Sequence, residues 1–294
     1  MDIKVSSLSQ QPYQASLVRV RYADPNPEGP GVKLENIPSS WEGTYPSREQ
    51  KFFPGSYGRV DSTESLCRLE DFSALITLWP TRPGSGEQTL ISHQDSTSGW
   101  SLFLDDEGCL AAKLGKAGDT QKFRLEGSLR ERKWYQAWLT YDAQTSKLTL
   151  GKAILDPGLK SEDQTGSSSD YAFESVSQEI PFLIGAQFSG PIDSHFNGKL
   201  EEPKIFSRSL NQQEIEQAFS GKIPDGLLAR WDFSREIPTS RMIDLGPENL
   251  EGYLVNCPAR GMTGSSWNGK EMCWRHAPED YGAVHFHEDD IYDF

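Results

Sequence analysis

Long apolar runs are missing from this 294-residue chain. No stretch approaches the roughly 20 residues that a membrane-spanning helix needs. The N-terminus, MDIKVSSLSQQ, lacks the basic-then-apolar pattern of a secretory leader. Positive charge is in deficit: 29 Lys and Arg stand against 43 Asp and Glu, a net charge of −14. Such a surface repels phosphate backbones and anionic lipid, so neither nucleic acid nor a membrane is an expected partner. Cysteine is sparse. Cys67, Cys109, Cys257 and Cys273 include no C-x-x-C pair, and the first two sit in apolar stretches, so neither a zinc site nor a disulfide framework is expected. The nucleophile elbow G-x-S-x-G, the phosphate loop G-x-x-x-x-G-K-S/T and the dinucleotide motif G-x-G-x-x-G do not occur. These absences point to a cytoplasmic protein without serine-hydrolase or nucleotide chemistry.

What is present is β pattern. LVRVRY (17–22), SALITLW, SLFLDDEGCLAAKL, KWYQAWLTYD, KLTLG and PFLIG are short aromatic and aliphatic runs divided by Gly, Asp and Ser. Residues 101–114 read as a hairpin turning at Asp105, Asp106, Glu107 and Gly108, with Gly108 supplying a positive φ. Many short strands between turn signals predict an all-β sandwich or jelly roll. One helix is predicted in LNQQEIEQAFSG: Asn211 caps it, Glu214 closes the capping box, Leu210 and Ile215 form the staple, and Gly221 with Pro224 ends it. Residues 156–177 are rich in Ser, Asp and Gly and read as a mobile loop.

The ends differ from the middle. IKVSS and ASLVRVRY read as two strands of an N-terminal β-unit over 1–23 that nothing nearby completes. Residues 24–54 hold Pro25, Pro27, Pro30, Pro38, Pro46 and Pro54 and read as an extended connector without regular sheet. The jelly roll is expected over 55–256. GAVHFH (282–287) reads as a strand without partners in a final segment, 257–294. Strands of an incomplete second β-unit thus flank the sandwich.

Two stretches carry a family resemblance. HFNGKLEEPKIFSRSLNQQEIEQAF (195–219) resembles laminin-G and concanavalin-like jelly rolls, in which such a strand leads into a capped helix. DPNPEGPG (24–31), GLLARWDFS (226–234), LVNCPARGMTGSSWNG (254–269) and WRHAPEDYGAVHFHEDD (274–290) follow one another as in the large, or β, subunit of the N,N-dimethylformamidase family. That resemblance covers most of the chain from about Tyr13. It implies a jelly roll followed by a catalytic half that hydrolyses N,N-dimethylformamide to dimethylamine and formate. It also implies a mononuclear iron held by tyrosine and glutamate oxygens beyond Phe294, none of which maps onto a residue here. The expected role is therefore the non-catalytic N-terminal portion of a large subunit, inactive alone. It would pack against the catalytic half, a small subunit and further copies. The alternative is a free-standing lectin-like module for glycan or protein.

Individual residues raise further candidates. On a strand, His285, His287 and Asp289 share one face, a set able to hold a divalent transition metal. The plainer reading is a polar face that meets neighbouring backbone or solvent. Since the resemblance puts the iron downstream, no metal is assigned, and His276, His285, His287 and Asp290 are expected to line the boundary with the catalytic half. His93 and His195 read as surface residues. Trp79, Trp134 and Trp138 lie in strand-like runs and read as core. Trp41, Trp100 and Trp267 lie in loops or at edges, free to stack on a sugar. Asp95, Asp105, Asp106 and Glu107 are the calcium candidates.

Overall fold

The structure is a computed structural model that describes residues 5–49, 53–61, 64–267 and 282–290. The chain forms two compact units, residues 1–53 and 54–293. No helix among the described residues is long and apolar enough to cross a membrane.

The first unit contains β1 (Tyr13–Ala15), β2 (Leu17–Ala23), β3 (Val32–Ile37) and β4 (Gly43–Tyr45). β2 pairs with β3, and β1 with β4. The prolines of residues 24–31 do not make a featureless connector. They sit in the turn of the β2–β3 hairpin, where Asp24 and Asn26 accept from the amides of Asn26 and Glu28 and the Asp24 amide donates to Gly31. Proline is excluded from a ladder but not from the turn beside it. The partner of LVRVRY is thus the downstream strand β3.

The second unit runs β5 (Tyr57–Val60), β6 (Phe72–Pro80), β7 (Gln88–Gln94), β8 (Gly99–Leu104), β9 (Leu110–Lys116), β10 (Asp119–Arg124), β11 (Tyr135–Asp142) and β12 (Lys147–Ile154). It continues through β13 (Gln164–Ser168), β14 (Phe182–Ile184), β15 (Gln187–Phe188), β16 (Ile192–Asp193) and β17 (Gly198–Phe206) to the helix α1 (Gln212–Phe219). β18 (Leu227–Asp232), β19 (Arg241–Asp244), β20 (Gly252–Val255), β21 (Ala259–Met262) and β22 (Ala283–Phe286) follow. One layer of the sandwich has the order β10-β9-β8-β7-β14-β5-β20-β19, and the other β18-β17-β6-β11-β12-β13. Trp231↔Asp244 and Asp232↔Ile243 join them along β18 and β19. The inner faces bury a core in which Trp100 stacks on Phe72 at 4.7 Å and Trp231 on Phe182 at 5.0 Å. The Trp231 indole N–H reaches the Leu250 carbonyl at 2.7 Å, so the aromatic is buried with its polar atom satisfied.

The sequence pattern accounts for the local elements. The β8–β9 hairpin turns where Gly108 takes φ 78°, and Asp105 accepts from the amides of Glu107 and Cys109. α1 carries the expected capping box between Asn211 and Glu214, with Leu210 and Ile215 buried. Three expectations fail. Residues 156–177 are not structureless: β13 pairs with β12 over five residues. The strand at 283–286 is not an orphan. It lies between β17 (Gly198↔Phe286, Lys199↔His285, Leu200↔Val284) and β21 (Ala259↔His285, Met262↔Ala283), with Val284 and Phe286 in the sandwich core. Its partners are distant in sequence, which local pattern does not reveal. His93 is no surface residue: it is 2% exposed, its ring nitrogen 3.3 Å from the Ile180 carbonyl, and burial pushes its pKa down to about 4. His195 is half-buried over Gly55, where a side chain would collide with the imidazole.

Two outcomes are expected. Asn211→Ala should cost about 1 kcal/mol through the lost cap, and Leu200→Ala more, about 2–5 kcal/mol, because it opens a core cavity; denaturant titration of both variants gives the order. His93 is neutral when folded and titrates near 6.5 when unfolded, so its contribution to stability is intact above that pH and lost as pH falls toward about 4. The loss should reach about 3 kcal/mol, and His93→Gln should flatten the stability profile in that window.

Candidate functional site

β17 sets the geometry. It is paired to β6 along both of its halves, while its other edge serves β22 at Gly198–Leu200 and β18 at Lys204–Phe206. Between them the register shifts, Glu202 takes φ 45° and Pro203 has no amide to donate. Because Leu200, Leu78, Tyr135 and Val284 face the core, their neighbours Lys199, Trp79, Trp134 and His285 face outward. They form one row across the second layer. The Lys199 ammonium stands 4.9 Å from the Trp79 ring centre and 6.0 Å from that of Trp134, and donates to the Thr263 carbonyl at 3.3 Å and its hydroxyl at 3.1 Å. Burial holds Lys199 below the usual lysine range. One step along the strand, Glu201 is 9% exposed, accepts from the Ser265 amide at 2.9 Å, and is held above the usual carboxylate range by burial.

His285 belongs to this row. Its Nε2 is buried without a hydrogen-bond partner, and its pKa is lowered first by burial and then by Lys199. His287 does not join it in a ligand set. β22 ends at Phe286, and the His287 main chain turns to bond Ser56 through N–H to Oγ and C=O to N–H, both at 3.0 Å. The His287 Nδ1 accepts the Asp289 amide at 3.0 Å, and the Asp289 carboxylate is 83% exposed. Asp290 accepts the Ser56 hydroxyl and, through its carbonyl, the Gly55 amide. The strand alternation that would align His285, His287 and Asp289 therefore stops before the second member. No three His, Cys, Asp or Glu side chains among the described residues come together as metal ligands. His276 lies outside the described residues.

The remaining candidates disperse. Trp100 is 1% exposed, a core residue of β8 and not a stacking platform; its run looked like an edge because Ser and Gly precede it. Trp41 and Trp267 are exposed but lie in different units. Asp95 is occupied by the Thr97 and Ser98 amides, and Asp105 by its own turn and Arg124. Sequence reasoning assigned Trp79 and Trp134 to the core and passed over Lys199 and Glu201. The only signal was the i, i+2 spacing of the last two, which acquires meaning through the Lys199↔Trp79 register.

Comparison with known proteins follows the same outline. The concanavalin A-like lectin/glucanases superfamily matches residues 54–216. The chain belongs to that superfamily. This concanavalin-like chain is also 33% identical over 306 residues to the N,N-dimethylformamidase beta subunit of Paracoccus aminophilus. It is 32% identical over 303 residues to the beta subunit of the same name from an Alcaligenes species. Each match covers 94% of this chain, which spans 40% of the length of each relative. The likeness read from the motifs is thus matched over nearly the whole chain. A putative carbohydrate binding protein from Bacteroides ovatus superposes with a TM-score of 0.51 at 16% identity, over 76% of this chain and 65% of that one, and shares the fold.

The row makes a spectroscopic prediction. His285 should titrate below the free-histidine value of about 6.5, and Lys199→Met should raise it by removing one of the charges that oppose protonation. Histidine ring shifts followed by NMR against pH read both.

Proposed function

We propose that this chain is the jelly-roll portion of the large subunit of an N,N-dimethylformamidase-like amide hydrolase, and that its work is to pack against the rest of that subunit and its neighbours. The observation that carries this reading is the pair of coverages: identity of 33% runs through 94% of this chain yet through only 40% of the relative. A subunit with that much further length has room for a catalytic part, and the jelly roll supplies a rigid body beside it. No three His, Cys, Asp or Glu side chains among the described residues converge, and in this reading the iron implied by the family resemblance is assigned elsewhere. Its tyrosine and glutamate ligands, and the hydrolysis of the amide, belong in this reading to the part of the family outside the match. The setting is cytoplasmic, which suits the buried free thiol of Cys109.

The test is a chimera. The matched segment of the Paracoccus aminophilus beta subunit is replaced by this chain and produced with the other subunit of that enzyme. Dimethylamine release from N,N-dimethylformamide is expected from the chimera and not from this chain alone. Turnover by this chain alone, or a folded and assembled chimera without turnover, would overturn the reading.

A further inference from the structure

The outer face of the second layer is covered unevenly. α1 lies over the half that carries Leu75, Trp138 and Phe206 and buries them in a cluster of their own. The other half carries the row of Trp134, Trp79, Lys199 and His285, beyond the reach of that cluster. Trp79 and Trp134 are partly exposed there. We infer that this half-face is the docking surface for the part of the large subunit outside the match, with Trp79 and Trp134 as its anchors and Lys199 as the cation between them.

Three observations favour that occupant. First, partly exposed tryptophans are a residue type in which binding energy concentrates at protein interfaces. Second, Lys199 is bonded to the neutral oxygens of Thr263 and makes no ion pair among the described residues, although the chain carries a net charge of −14. Glu201, its nearest acidic neighbour along β17, is turned to the Ser265 amide. Among the described residues the row therefore presents a cation held by neutral oxygens, to which a carboxylate on the covering polypeptide is complementary. Third, the relatives hold more than half their length outside the match, enough polypeptide to cover a sheet face. The inference rests on the proposed large-subunit reading and assigns to it a face.

Hydroxyl-radical footprinting tests it on intact proteins. Oxidation of Trp79 and Trp134 is compared between this chain alone and the chimera, with Tyr253, 40% exposed on the opposite layer, as the reference. Both tryptophans should oxidise severalfold more slowly in the chimera while Tyr253 keeps its rate, and Lys199→Glu should restore fast oxidation. Lys199→Met, which keeps most of the apolar stem, should restore it in part; its unfolding temperature shows whether the sandwich is intact. An active chimera whose tryptophans oxidise as fast as in this chain alone overturns the docking surface and leaves the functional reading standing. A folded chimera without turnover but with both tryptophans protected supports the surface and overturns the activity. Protection that appears in this chain alone as its concentration rises gives the face to a second copy and overturns the inference.

Discussion

The divided edge of β17 is the constraint on which the rest of the second unit depends. One strand serves β22 with its first residues and β18 with its last, because the bulge at Glu202 and Pro203 interrupts the ladder between them. β18 then hands the chain across to β19 and the opposite layer, and β22 completes the second layer beside β21. A continuous ladder would leave no separate places for both. The bulge also leaves charges in a buried setting. Glu202 bridges Lys204, which is 1% exposed, and Arg230. Removing one partner would strand an uncompensated charge, so this group fixes geometry more than it adds stability.

Several of the chain's acids bond backbone amides. Asp244 accepts the amides of Arg230, Gly246 and Leu250. Asp95, Asp105, Asp142 and Asp156 each close a turn. Arg260 does the converse, donating to the carbonyls of Phe233, Arg235, Glu236, Thr239 and Arg241 and so organising a loop without regular structure. Such groups satisfy main-chain atoms where no ladder does. Of the acids that suggest cation sites in the sequence, Asp95 and Asp105 are thus already engaged.

Function in this chain is a matter of faces. The inner faces make the core, α1 closes half of one outer face, and the half left over holds the aromatic and cationic row. In the proposed reading, a large subunit that extends well past the sandwich gives that remainder a use. The sandwich in this view is a scaffold whose value lies in holding Trp79, Trp134 and Lys199 in fixed register on a rigid sheet.

Local physics was legible in the sequence. The capping box at Asn211, the turn at Gly108, the short alternating strands and the all-β class follow from interactions spanning a few residues, and the family motifs from ordered stretches of the same kind. Partnership was not. The strand around His285 looked orphaned because its neighbours are Lys199 and Ala259, tens of residues away. Trp100 looked exposed and Trp79 buried because a residue's side of the sheet depends on which layer its strand joins. Period-2 alternation tells which residues share a face; only the folded sheet decides which face meets the core. The candidate row lies wholly in that second category: three of its members sit on paired strands, Trp134 just precedes a fourth, and strand pairing brings them together.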